Sequence, residues 1–129
     1  MHKKYLFIGS ILAGLAIILG AFGAHALKKM VPAETVASFQ TGVQYQMYHA
    51  FALIIAAILS NNIKSKFIHW AAKSFIAGIL LFSGSLYVLT FLKATESVGL
   101  TGIGMITPVG GLFFIAGWIL LSIAVMKKN

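Results

Sequence analysis

Four apolar runs of roughly 20 residues each, closed by lysines or polar turns, occupy most of this 129-residue chain. A run of that length crosses the ~30 Å hydrocarbon layer as an α-helix, the one open-chain form that satisfies its own backbone there. The runs fall at about 5–26, 36–60, 68–92 and 108–126. Only 9% of the residues are charged, against about 25% in a soluble globular domain. The predicted fold is therefore all-α: a four-helix transmembrane bundle forming one domain over residues 1–129, with nothing left for a second.

The first run, from Tyr5 to about Ala26, is entered through His2-Lys3-Lys4 and left through Lys28-Lys29. Ala24-His25-Ala26 has the A-x-A form of a signal-peptidase site, but the run exceeds the ~7 to 15 residue core of a signal peptide, so it reads as a span. Pro32-Ala33-Glu34 predicts a helix start, with Pro and an acid in the first turn. From Ala33 to Ser60 that helix would measure ~42 Å, so its first turns should lie in the interface. Asn61-Asn62 ends it, Lys64 and Lys66 mark a polar connection, and Phe67 to Leu92 forms the third segment, with Lys73 placed to snorkel. The stretch Lys93 to Met105, with Gly99, Gly102 and Gly104, reads as a flexible connection too glycine-rich for a helix. It lacks the Lys-Ser/Thr of a phosphate loop. Thr107-Pro108 predicts an N-cap and first helical residue for the fourth segment, Pro108 to Met126.

Ten lysines, no Arg, no Asp and two Glu give a net charge of +8. The lysines sit beside the apolar runs, which points to anionic lipid head groups and not to nucleic acid. Lys3, Lys4, Lys64, Lys66, Lys73, Lys127 and Lys128 fall on one side of a four-span topology, and Lys28, Lys29 and Lys93 on the other. The excess predicts a multi-pass plasma (inner) membrane protein with both termini in the cytoplasm.

Small residues mark the packing faces. Gly9, Ala13, Ala16, Gly20, Gly23 and Leu27 share one face of the first helix, and Gly110, Phe114, Gly117, Leu121 and Ala124 one face of the fourth. Close backbone approach through such stripes is what holds helices together in lipid. An uncovered Gly110 and Gly117 face would receive a membrane-protein partner or a second copy. Gly84 lies beside a face bearing Ser83, Tyr87 and Thr90. In the second helix Gln40, Thr41, Gln44, Tyr45, Tyr48 and His49 fall within half the circumference, with Val43 and Met47 outside it. With His25 and Thr107, these groups predict a bundle polar in its outer half and apolar in its inner half. Two readings stand: interhelical hydrogen bonds that fix the bundle, or an outward-opening site for a small amphipathic ligand or lipid head group.

Catalysis is disfavoured. Glu34 and Glu96 lie in connections, no span holds a carboxylate, and there is no cysteine. His25 and His49 alone fall short of the three or four ligands of a metal site, so neither metal nor cofactor is expected. His69, beside Trp70, reads as a head-group anchor.

Four ordered motifs carry a resemblance: Gly20-Ala21-Phe22-Gly23-Ala24-His25, Thr41-Gly42-Val43-Gln44-Tyr45-Gln46-Met47-Tyr48-His49-Ala50, Gly84-Ser85-Leu86-Tyr87 and Ile106-Thr107-Pro108-Val109-Gly110-Gly111. Together they resemble domain-of-unknown-function family 423, small four-span inner-membrane proteins with mitochondrial relatives in eukaryotes. The resemblance implies the fold and no reaction or substrate. Its signature falls on Gly20, Gly23, His25, Gln44, Tyr45, Tyr48, His49, Tyr87, Thr107, Pro108 and Gly110. Gln46 stands where the family frequently has His, which counts against a histidine-rich site.

Overall fold

A computed structural model describes residues 2–96 and 101–127. Four helices long and apolar enough to cross a membrane account for nearly all of them. Helix α1 is Lys3–Ala24, followed by a single 3₁₀ turn at Leu27–Lys29. Helix α2, Ala33–Leu59, starts behind extended Pro32, whose carbonyl accepts from Thr35 and Val36, with Glu34 at the positive end of the dipole. Helix α3 runs over Lys66–Ala94. Ser65 caps it by accepting from the Phe67 N–H, and one π-helical turn, Ile79–Ser83, interrupts it. Helix α4 is Ile106–Met126.

Two expectations at the fourth helix change. Thr101–Met105 is wound into a 3₁₀ turn despite its glycines and leads directly into α4, which begins at Ile106. Thr107 is therefore no cap, and Pro108 occupies the first turn, where its missing N–H costs nothing. Gly99, the remaining glycine of that connection, lies outside the described residues.

The hub is α2. Its buried residues recur at Thr35, Phe39, Gly42, Val43, Gln46, His49, Ala50, Leu53, Ala56 and Ala57, the 3.6-residue period of one helical face. Helix α1 lies along one flank of that face, where a Cβ on Gly9 would stand 2.7 Å from the Ile54 side chain and one on Gly23 2.6 Å from Gln40. Helix α3 packs on the other flank, and α4 packs chiefly on α3.

The α3–α4 contact uses one tetrapeptide twice. Phe75-Ile76-Ala77-Gly78 and Phe114-Ile115-Ala116-Gly117 run in opposite directions; Phe75 covers Gly117 and Phe114 covers Gly78. Each helix supplies a ring and a notch, and a Cβ on Gly117 would lie 2.6 Å from the Phe75 ring. Beside this interlock Gly110 sits against the Leu81 and Phe82 backbone at the π turn, so no side chain fits there. The Gly110 and Gly117 face, which would have received a partner had it been left uncovered, is thus filled by α3. Gly84 is a second correction: an added Cβ would meet only the Ile79 carbonyl at 3.9 Å, so it is no packing notch.

Two apolar layers result. Leu53, Ile68, Phe75 and Leu121 with Ala56, Ala57, Ala71, Ala72 and Ala124 fill one end. Leu27, Val31, Phe39 and Val43 with Ala16 fill the other. Between them the Gly9–Ile54 and Gly20–Val43 contacts set α1 and α2 antiparallel, with Leu15 level with about Tyr48 of α2.

Candidate functional site: a polar belt at mid-depth

Between those layers α2 presents Gln46 and His49. The Gln46 carboxamide donates to the Leu12 carbonyl at 2.8 Å, and its oxygen accepts from the Tyr87 hydroxyl at 2.6 Å. One side chain thereby ties α1, α2 and α3 together. Ser83, freed by the π turn to point across, donates to the Gly42 carbonyl at 2.6 Å, and Gln40 donates to the Gly20 carbonyl at 3.0 Å.

His49 is fixed at both nitrogens. Trp118 Nε1–H can only donate, and it lies 3.0 Å from His49 Nε2, so Nε2 is the acceptor and Nδ1 carries the proton given to the Tyr45 carbonyl at 2.7 Å. The imidazole is therefore a single neutral tautomer. It stacks on Phe114 with centroids 3.6 Å apart and planes 12° from parallel, and Phe75 flanks it at 5.6 Å. A third link joins α3 to α4: Ser85 donates to the Phe82 carbonyl and pairs with the Thr107 hydroxyl.

The ten polar positions singled out from the sequence divide by where they point. Gln40, His49, Ser83, Tyr87 and Thr107 bond across helices. Thr90 is buried but bonds within α3, to the Leu86 carbonyl. Gln44, Tyr45 and Tyr48 are exposed, and their polar heads have no hydrogen-bond partner among the described residues. His25 is exposed beyond the end of α1, away from the belt. The polar half-circumference predicted for α2 is displaced from the face that turns inward, with Val43 buried and Gln44 outside.

Gln46, Ser85 and Trp118 are the members missed. Gln46 had a legible signal, since it stands four residues after Gly42 and four before Ala50 on the small-residue face of α2. The belt lies near mid-depth, and the opposite end has its own polar contact: Tyr5 hydroxyl and His69 Nδ1 are 2.9 Å apart, with the His2 ring beside both. His69 is thus a partner of α1, while Trp70 sits under the Lys73 ammonium at 5.6 Å.

Chemically the belt is closed. Among the described residues no buried side-chain nitrogen or oxygen lacks a partner, and no three His, Cys, Asp or Glu side chains converge. A cleft of about 140 Å³ lies apart from Gln46 and His49, between the start of α2 and the end of α3, lined by Glu34, Thr35, Ser38, Leu86, Leu89, Thr90 and Lys93.

Residues 19–111, which contain the whole belt except Leu12, Phe114 and Trp118, match the family profile described as protein of unknown function (DUF423). Similar full-length proteins include the UPF0382 membrane protein YwdK of Bacillus subtilis, 40% identical over 97% of this chain and 98% of the relative. A UPF0382 membrane protein of Haemophilus influenzae is 39% identical over 100% of this chain and 98% of its own length. The UPF0382 inner membrane protein YgdD of Escherichia coli is 34% identical over 98% and 93%. No solved structure matches the chain. The chain is an integral membrane protein and belongs to the DUF423 family, whose function is unknown.

Proposed function

We propose that this chain is a non-enzymatic structural or accessory subunit of the plasma membrane, with both termini in the cytoplasm, that works by associating with another membrane protein or with its own copies. One observation carries this reading. The buried polar groups of the belt are consumed in holding helices together, Gln46 by Leu12 and Tyr87, His49 by Tyr45 and Trp118. The inner-membrane name of the Escherichia coli relative and the seven-to-three lysine excess agree with the location and orientation. Anionic lipids would gather at those lysines.

Native mass spectrometry from nanodiscs tests it. A reproducible hetero- or homo-complex is expected; a bare monomer that carries a small molecule lost in His49→Ala would replace the subunit reading with a ligand site in the belt.

A second reading has its own observation, the cleft between α2 and α3. Glu34 and Lys93 border it with opposite charges, Leu86 and Leu89 form an apolar wall, and its volume is about 140 Å³. That suits a zwitterionic lipid head group such as phosphoethanolamine. Nanodiscs of phosphatidylethanolamine should leave a lipid adduct on the protein that Glu34→Gln with Lys93→Gln removes; an unchanged adduct rejects the site.

A further inference from the structure

The side of α2 turned away from its neighbours is a seam of Thr41, Gln44, Tyr48, Phe51 and Ile55, in successive steps of three or four residues. Tyr48, Phe51 and Ile55 are 54%, 53% and 46% exposed, and Gln44 is exposed with them. Thr41 bonds back to the Ala37 carbonyl at 3.0 Å. Neither the Gln44 carboxamide nor the Tyr48 hydroxyl has a partner among the described residues. Gln44 lies well inside the span Ala33–Leu59, so this carboxamide faces outward from the bundle along the stretch read as crossing the hydrocarbon. A polar group there is costly unless another protein satisfies it. The same helix has a mean hydropathy of 1.3, against 2.1 to 2.3 for the other spans.

We infer that the seam is the interface of a homodimer, in which a second copy related by a two-fold axis along the membrane normal lays its own α2 alongside and the two Gln44 carboxamides bond reciprocally. The inference rests on the association reading above and names the associate. A carboxamide is both donor and acceptor, so a two-fold axis beside Gln44 satisfies each copy with the other's identical group. The seam holds no charged residue, so a chain of net charge +8 can meet itself there without bringing lysines together. Both copies insert with the same orientation, which makes the helices parallel and the register symmetric. Phe51 and Ile55 then pack below the amide pair.

The natural sequence has no cysteine, so Thr41→Cys or Phe51→Cys makes the only thiol in the molecule. Oxidative cross-linking in native membranes should give a covalent dimer from each. Ile17→Cys on α1 and Leu112→Cys on α4, at positions 65% and 64% exposed, should give little. Adding Gln44→Leu should weaken dimerisation about eightfold, the equivalent of two average interhelical hydrogen bonds in a membrane, and Gln44→Asn should restore most of it. The thermal melt of the monomer should not move with Gln44→Leu, because Gln44 bonds nothing inside the chain.

Equal cross-linking from all four positions, or a yield indifferent to Gln44→Leu, overturns the inference. A monomer melt that falls with Gln44→Leu does so too, by returning the side chain to an internal role. Native mass spectrometry separates the two readings: a complex with a different protein, protecting Thr41→Cys from cross-linking, leaves the association reading standing and removes the homodimer, whereas a bare monomer removes both.

Discussion

A single carboxamide, that of Gln46, contacts three helices, and its energetic weight follows from the setting. Interhelical hydrogen bonds in a membrane average about 0.6 kcal/mol, because the separated helices find other partners. Gln46→Leu removes two of them, to Leu12 and Tyr87, and should cost roughly 1 to 1.5 kcal/mol, read from unfolding in mild detergent. A double-mutant cycle with Tyr87→Phe should assign about half of that to the Gln46–Tyr87 bond; full additivity would contradict the geometry. His49 offers a spectroscopic check. Its ¹⁵N shifts should report one neutral tautomer protonated at Nδ1, and Trp118→Phe, which deletes the donor to Nε2, should let the other tautomer appear. Substitution at Gly110 is the severe case, since its neighbour is the Phe82 backbone and not a side chain that can swing aside. Gly110→Val should destabilise by about 1 to 3 kcal/mol or more through overpacking, and Gly84→Ala, with room around it, should be close to neutral in thermal denaturation.

Among elements, the π turn at Ile79–Ser83 is the one that reshapes its surroundings. The extra residue turns the second half of α3 so that Ser83 meets Gly42 and Tyr87 meets Gln46. A π turn absorbs one extra residue, so deleting exposed Leu80 and restoring regular α-helix should keep Gly84–Ala94 on nearly its present face. The Tyr87–Gln46 bond should survive the deletion, and loss of the coupling between those two side chains in a double-mutant cycle would contradict that geometry. Sequence periodicity showed where helices begin and end because lysines, Asn61-Asn62 and Pro32 are strong local signals. It could not show the π turn, which packs against a neighbour about 30 residues further along the chain, the Gly110 backbone. Polarity misled in α2 for a related reason: Gln44 and Gln46 are chemically alike, and only the packing of α1 and α3 decides which one points inward.

For the whole molecule, four spans and the lysine distribution define an orientation that labelling can test. With membrane-impermeant maleimide on intact cells, Met30→Cys should react and Lys64→Cys should not until the membrane is opened; the reverse pattern would invert the topology. The spans were legible from length and apolar content alone, because the bilayer imposes them. The order of packing was not, since small-residue stripes on α1 and α4 reveal that a neighbour approaches without saying which. The repeated Phe-Ile-Ala-Gly was the missing clue, and it matters only because the two copies meet. Its consequence reaches back to biosynthesis. A hairpin in which each arm carries both ring and notch can lock as soon as its second arm leaves the ribosome. The α3–α4 pair is in that sense a finished part, and the α1–α2 pair, with its own stripe of notches, is another. Severed at Asn62 and translated as two messages, the halves should still meet in the bilayer and form one protein, joined by the apolar layer of Leu53, Ile68 and Phe75 and by the bonds of Gln46, Ser83 and Trp118.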